Sequence, residues 1–267
     1  MIDASFLGRV VVVTGASRGI GRATAIAFAE AGARVVVNYF AHEDEALQVV
    51  KTITDAGGQA IAYQADVASL EAVEGLIQCA VDTYGRLDVA ISNAVYSDRE
   101  PFYDANMTGF RRTIDVTMWG AFHLVRSAAR QLIRQQQGGV IGVVSSPHAF
   151  IPIPRAMAYN MAKAAIDHMC RTAAIELAAQ RIRVNCIHPG WTDTPGERKF
   201  FSEQTLQDAA ASIPWGRLGT SEEIARGILF LCDPRNDYVT GATLLMDGGI
   251  TLPWWASQGS GGPIKNS

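Results

Sequence analysis

The chain alternates short, almost wholly apolar runs with longer stretches in which apolar residues recur every three or four positions. The short runs predict strands at Arg9–Thr14, Arg34–Asn38, Ala60–Tyr63, Asp88–Ser92, Val140–Ser145, Arg183–Ile187 and Thr243–Met246. The periodic stretches predict helices at Ile20–Ala31, Asp44–Ala56, Leu70–Tyr84, Arg112–Gln136, Tyr159–Ala178 and Ser221–Leu231. Glycines stand just past several helix ends, as at Gly32, Gly57-Gly58 and Gly138-Gly139, where a left-handed residue closes a helix. Strands without a polar face are buried on both sides, and regular β-α alternation buries them under helices. The pattern predicts an α/β fold: a Rossmann-like, doubly wound parallel sheet of about seven strands with helices on both faces. Tyr96–Thr108 and Trp191–Trp215 break the rhythm and read as long binding loops.

No linker rich in Pro, Gly or Ser splits the body, so residues 1–258 read as a single nucleotide-binding and catalytic domain. Residues 259–267 read as a disordered Gly/Ser-rich tail. At 267 residues and 48% hydrophobic, the chain can bury a large core without staples. A net charge of −3 with no long basic run argues against nucleic-acid binding. Cys79, Cys170, Cys186 and Cys232 form no C-x-x-C pair and read as reduced thiols. Met1-Ile-Asp-Ala-Ser has no signal-peptide pattern, and no apolar run reaches the ~20 residues of a membrane span. The expected location is cytoplasmic. His42, His123 and His168 lack ligand spacing, His188 reads as structural, and no metal is implied.

Candidate chemistry begins where the first strand runs into Gly15-Ala-Ser-Arg-Gly19-Ile-Gly21. Strand, glycine turn and helix start follow one another. Glycines let a backbone approach a pyrophosphate, and the helix N-terminus offers free N–H groups and partial positive charge. Further on, Tyr159 and Lys163 stand one helical turn apart on one face. A phenol near pKa ~10 is a poor base at neutral pH, and moving it to ~7 takes about 4 kcal/mol. An ammonium at ~4 Å supplies roughly that much at a dielectric near 20. The pair therefore suits general acid–base work on an alcohol or carbonyl.

With these motifs in this order, the chain resembles the short-chain dehydrogenase/reductase family of the Tyr-x-x-x-Lys type, from Arg9 to about Gly249. The resemblance implies hydride transfer between a nicotinamide dinucleotide and an alcohol or carbonyl. It implies that Tyr159 is the general acid/base and that Lys163 lowers its pKa. It assigns Ser146, rather than Ser145, to the substrate oxygen. It further implies cofactor contacts from Gly15, Ser17, Arg18, Gly19, Ile20 and Gly21, and from Tyr39, Asp66 and Val67. Asn93, Ala94, Tyr159, Lys163, Pro189, Gly190, Thr192 and Thr194 complete that set. Asp247-Gly248-Gly249 looks like the family's C-terminal signature. Two positions depart from the pattern. Thr117 stands where an asparagine usually supports a proton relay, and Val95 stands where glycine follows Asn-Ala.

The second strand ends Val37-Asn38-Tyr39-Phe40, without the carboxylate that would bind a ribose 2′-OH. Arg18 either pairs with a 2′-phosphate or is a solvated charge. NADP(H) is favoured and NAD(H) is possible. The chain looks most like the glucose 1-dehydrogenase and ketone reductase branch. The loop Pro147–Pro154 is apolar, however, and Trp191 adds aromatic surface. A small or medium carbonyl compound with an apolar part is expected, with a sugar as the alternative. Val95, His148, Phe150 and Trp191 are the candidate substrate-pocket residues. Glu197, Arg198 and Lys199 read as a solvated charge cluster, or else as an attractor of an anionic substrate. A dinucleotide-binding sensor or scaffold with little turnover is the alternative of another class. The resemblance implies a homo-oligomer, tetramer or dimer, and Pro253-Trp254-Trp255 is expected to pack on the body or a neighbour.

Overall fold

In the computed structural model, which describes residues 5–252, the apolar runs form a parallel sheet in the order β3-β2-β1-β4-β5-β6-β7. The strands are β1 (Val10–Val13), β2 (Arg34–Tyr39), β3 (Gln59–Gln64), β4 (Val89–Ser92), β5 (Gly139–Val144), β6 (Ile182–Pro189) and β7 (Thr243–Met246). Every residue of β1, β4 and β6 is buried, as expected for strands covered on both faces. The helices are α1 (Gly19–Glu30), α2 (Glu43–Asp55), α3 (Leu70–Tyr84), α4 (Met107–Thr113), α5 (Gly120–Gln135), α6 (Met157–Leu177), α7 (Glu203–Ser212) and α8 (Ser221–Cys232).

Two apolar cores lie on opposite faces of the sheet. One packs α3, α5 and α6 through Leu76, Leu124, Ile166 and Cys170. The other packs α1, α2 and α8 through Phe28, Val49, Ile224 and Ile228. Strand order reverses between β1 and β4, so a crevice opens beyond their carboxyl ends, where ligands of such sheets bind. Among the described residues the four cysteines are free thiols, and no helix is long and apolar enough to cross a membrane. The expected packing of Pro253-Trp254-Trp255 and the expected 259–267 tail lie outside the described residues.

Two elements correct the hydropathy reading. The helix expected from Arg112 starts at Met107, capped by Asn106, whose side chain accepts from the Thr108 amide at 2.9 Å. Its first turns contain Gly109, Thr108 and Thr113 and show no apolar stripe. The stretch Ile114–Trp119 then widens to π geometry before α5 begins. The second correction is α7, inside the segment Trp191–Trp215 that read as a loop. Leu206 is its only buried residue, so periodicity could not reveal it.

Candidate active site

The glycine turn after β1 is tied to the end of β4. The Asn93 side-chain amide donates to the carbonyls of Thr14 and Gly15, at 3.0 Å each. The Thr14 hydroxyl accepts from the backbone amides of Asn93 and Ala94. Asn38, fully buried at the end of β2, accepts from the Gly15 amide at 3.2 Å. Gly15 has φ +60°, and a Cβ there would lie 2.8 Å from the Ala94 Cα. A Cβ at Gly21 would overlap the Gly15 carbonyl and come within 2.5 Å of Asn93 Nδ2. Only glycine lets the α1 N-terminus sit this close to β4. A cradle that a Cβ would fill, facing free helix N–H groups, fits a dinucleotide pyrophosphate.

This turn borders a cleft of about 920 Å³. The expected cofactor residues Gly15, Ser17, Arg18, Gly19, Ile20, Tyr39, Asp66, Val67, Asn93, Ala94, Pro189, Gly190, Thr192 and Thr194 all line it. Gly21 lies beneath, shaping the turn. Some side chains are already engaged within the chain. Tyr39 turns its hydroxyl to Glu43 at 3.0 Å, and Asp66 pairs with Arg112 at 2.9 Å. The Arg112 guanidinium also lies 5.3 Å from the Phe40 ring centroid.

At the other end of the cleft, Ser146 follows β5 while Tyr159 and Lys163 project from the first turns of α6. The Ser146 hydroxyl accepts from the His148 amide at 3.3 Å, which leaves its proton free to donate. Ser145 turns inward and donates to the Lys163 carbonyl at 3.4 Å. Burial pushes the Tyr159 phenol up to about 12, while a hydrogen bond with Ser146 and the charge of Arg99 act against it. Lys163 Nζ donates to the Val144 carbonyl at 2.7 Å and lies 5.3 Å from the Tyr159 ring centroid. Burial lowers its pKa to about 8. Among the chain's own groups, burial outweighs the interactions that would lower the phenol, so its pKa lies above the ordinary value.

Other expectations fare differently. Val95, His148 and Trp191 line the same cleft as Tyr159. His148 is held by Asn160, Nδ1 to Oδ1 at 2.7 Å, and meets the Tyr159 ring edge-on at 4.9 Å. Burial lowers its pKa to about 4, so it is neutral. Phe150 is a correction. It stacks on His188 at 5.5 Å and borders a neighbouring groove with Phe102 and Met161, not the cleft. Thr117 is another, because its hydroxyl serves the backbone of Tyr96 and does not line the cleft. His188 is buried and bonded to Asp167 at 2.8 Å, while Cys186 Sγ donates to the same carboxylate at 3.5 Å. These three groups lie within 4.8 Å of one another and spend their polar atoms on each other.

Sequence reading missed Asn38, Asn160 and Arg99. Asn160 also donates to the Ile153 carbonyl, so it pins the loop after Ser146. Arg99 lines the cleft from the loop after β4, among the rings of Phe200 and Phe201. Its only prior signal was its place in an overlong loop.

The chain is similar to known proteins over most of its length. Residues 15–251 match the family model described as enoyl-(acyl carrier protein) reductase. The chain is 37% identical over 246 residues to 3beta-hydroxysteroid dehydrogenase 1 of Eggerthella lenta, covering 92% of this chain and 94% of that protein. It is 34% identical over 246 residues to glucose 1-dehydrogenase 2 of Bacillus subtilis, covering 92% and 95%. A short-chain type dehydrogenase/reductase from Mycobacterium marinum superposes with TM-score 0.87 at 32% identity, over 94% of this chain and 99% of that one. A 7 alpha-hydroxysteroid dehydrogenase complexed with NADH and 7-oxo glycochenodeoxycholic acid superposes with TM-score 0.87 at 34% identity, over 92% and 96%.

Proposed function

The chain belongs to the short-chain dehydrogenase/reductase family, an oxidoreductase family, and on that premise we propose that it interconverts an alcohol and a carbonyl with Tyr159 exchanging the proton. The observation that carries this reading is the convergence of Ser146, Tyr159 and Lys163 at one end of a cleft whose other end is the glycine cradle. A bound nicotinamide dinucleotide supplies the hydride donor for a carbonyl or the acceptor for an alcohol. Ser146 donates its free proton to the substrate oxygen and steadies the charge that develops there. Tyr159, protonated at neutral pH, donates from its hydroxyl to that oxygen in reduction and takes the proton back in oxidation. Lys163, held by the Val144 carbonyl, keeps positive charge beside the phenol as it loses its proton. Thr117 acts by holding the Tyr96 backbone, and proton delivery is not assigned to its hydroxyl.

For the cofactor we favour NADP(H). Arg18 is exposed at the cleft and enters no ion pair among the described residues. At the end of β2 the Asn38 amide is spent on backbone groups, and no carboxylate of that strand faces the cleft. For the substrate we favour a carbonyl compound with an apolar part. Tyr96, Trp191, Phe200 and Phe201 line the cleft, whereas a sugar needs several polar partners. Homo-oligomerisation and a cytoplasmic location are part of the same proposal.

Absorbance at 340 nm tests the reading with each cofactor against ketones, aldehydes, sugars and acyl ketones. Reduction of apolar ketones, lost by about 100-fold or more in Tyr159→Phe, is expected. Glucose oxidation in preference to ketone reduction would replace the apolar substrate by a sugar. Cofactor binding without turnover of any compound would favour a sensor or scaffold.

A further inference from the structure

Arg99 differs from the partly buried arginines that have a carboxylate partner. Arg86 and Arg9 pair with Asp88, and Arg112 pairs with Asp66. Arg99 is half-buried, and among the described residues it enters no ion pair and its side chain donates no hydrogen bond. Its Nε is sealed from solvent without a partner. The guanidinium carbon lies 4.5 Å from the Phe200 ring centroid and 5.5 Å from that of Phe201. Removing a guanidinium from water without a carboxylate is costly, so a charge left this way is expected to meet one from outside. The nearby Glu197 carboxylate feels the Arg99 charge, but no ion pair or hydrogen bond joins the two side chains, and Glu197 accepts from Trp191 Nε1 at 3.0 Å.

The surroundings indicate what kind of anion fits. Lys199 lies over the Tyr96 ring at 4.7 Å and over Phe200 at 5.2 Å, and it lines the same cleft. Arg198, its neighbour in the expected charge cluster, points away to Asp193 and Glu203. Arg99 and Lys199 against Glu197 leave one net positive charge, which suits a monoanion better than a dianionic phosphate. A planar fork resting on aromatic faces keeps its N–H edge available for a carboxylate.

We propose that Arg99 recognises a carboxylate carried by the carbonyl substrate, so that the substrate class is an oxo acid with an apolar body lying between Arg99 and Tyr159. This rests on the oxidoreductase reading above. The test uses phenyl ketones bearing a terminal carboxylate at increasing distance from the carbonyl, each beside its methyl ester. Turnover is measured with either cofactor, and binding to the cofactor-loaded protein is measured by calorimetry. Arg99 also acts on Tyr159 through its charge, so the acid-to-ester ratio is the readout, in which a common change of rate cancels. At the best chain length the acid is expected to exceed its ester by about 10- to 100-fold. Arg99→Gln should bring the ratio toward one, and Arg99→Lys should retain part of it. Equal handling of acid and ester by the unmodified protein would overturn the proposal. So would an unchanged ratio in Arg99→Gln, or acids that neither react nor bind. If neutral ketones react and acids are not preferred, only this proposal fails. If no compound reacts with either cofactor, the oxidoreductase reading fails.

Discussion

The Thr117 hydroxyl donates to the Tyr96 carbonyl at 2.7 Å and accepts from the Tyr96 amide at 3.2 Å. One side chain in the π-widened stretch of the helix thus satisfies both backbone groups of a residue at the base of the loop that carries Arg99. Thr117→Val keeps the shape and removes both bonds, leaving a partly buried donor and acceptor unpaired. The expected loss is about 1–3 kcal/mol, read as a melting temperature lower by several degrees. Substrate KM should rise more than kcat falls, and Thr117→Ser should restore both. An unchanged melting temperature would show that the pair contributes little.

Lys163 should set the alkaline side of the activity profile. Burial holds its pKa down at about 8, so it loses its charge within the working range of pH. Ketone reduction should hold through neutral pH and decline with an apparent pKa near 8. Lys163→Arg keeps its charge and should remove that decline, even if the rate itself drops. The check is kcat/KM against pH for both proteins. An alkaline limb that survives in Lys163→Arg belongs to another group.

Cofactor binding should be sensitive to one methyl group at Gly21. Its Cβ would meet the Gly15 carbonyl and Asn93 Nδ2, neither of which can yield without moving β4. Gly21→Ala should cost about 1–3 kcal/mol of overpacking. Titration of cofactor fluorescence should show an affinity weaker by about tenfold or more. Normal affinity would mean that the turn relaxes.

The His188–Asp167 pair should give stability a pH dependence. Burial alone would lower the histidine pKa, but hydrogen bonds to Asp167 and Cys186 raise it instead. For Asp167, burial acts upward but the bonds from His188 and Ser145 win, and its pKa falls. A raised histidine stabilises fully below its unfolded value of about 6.5 and loses this as pH climbs through the raised one. A lowered carboxyl stabilises above about 3.9 and loses this as pH falls. Denaturant midpoints should therefore decrease from pH 6 to alkaline pH. Asp167→Asn should be less stable at pH 6 by about 3–5 kcal/mol and show a flatter slope. Parallel slopes in the two proteins would remove the pair from the explanation.

Much of this architecture follows from local sequence. Apolar four- to eight-residue runs bury on both faces wherever they stand, so the parallel sheet and its helices are written in spacing alone. The glycine turn, and Tyr159 one helical turn before Lys163, are local as well. Elements with no apolar stripe, α7 and the first turns of α4, are invisible to that signal, because their helicity rests on caps at Ser202 and Asn106. The protonation of Tyr159 was not legible either. Spacing puts an ammonium near the phenol, but burial by the rest of the fold outweighs it. Thr117 reaches Tyr96 across 21 positions, and Arg99 meets Phe200 across 101, so their roles depend on which loops the sheet brings to one cleft. The sequence by itself determined the fold and the spacing of the glycine turn and of Tyr159 and Lys163, since these are encoded within one strand or one helical turn. Only the tertiary structure decided which charges are paired, which hydroxyls are spent, and what the cleft leaves unsatisfied. Those depend on burial and on contacts between distant segments.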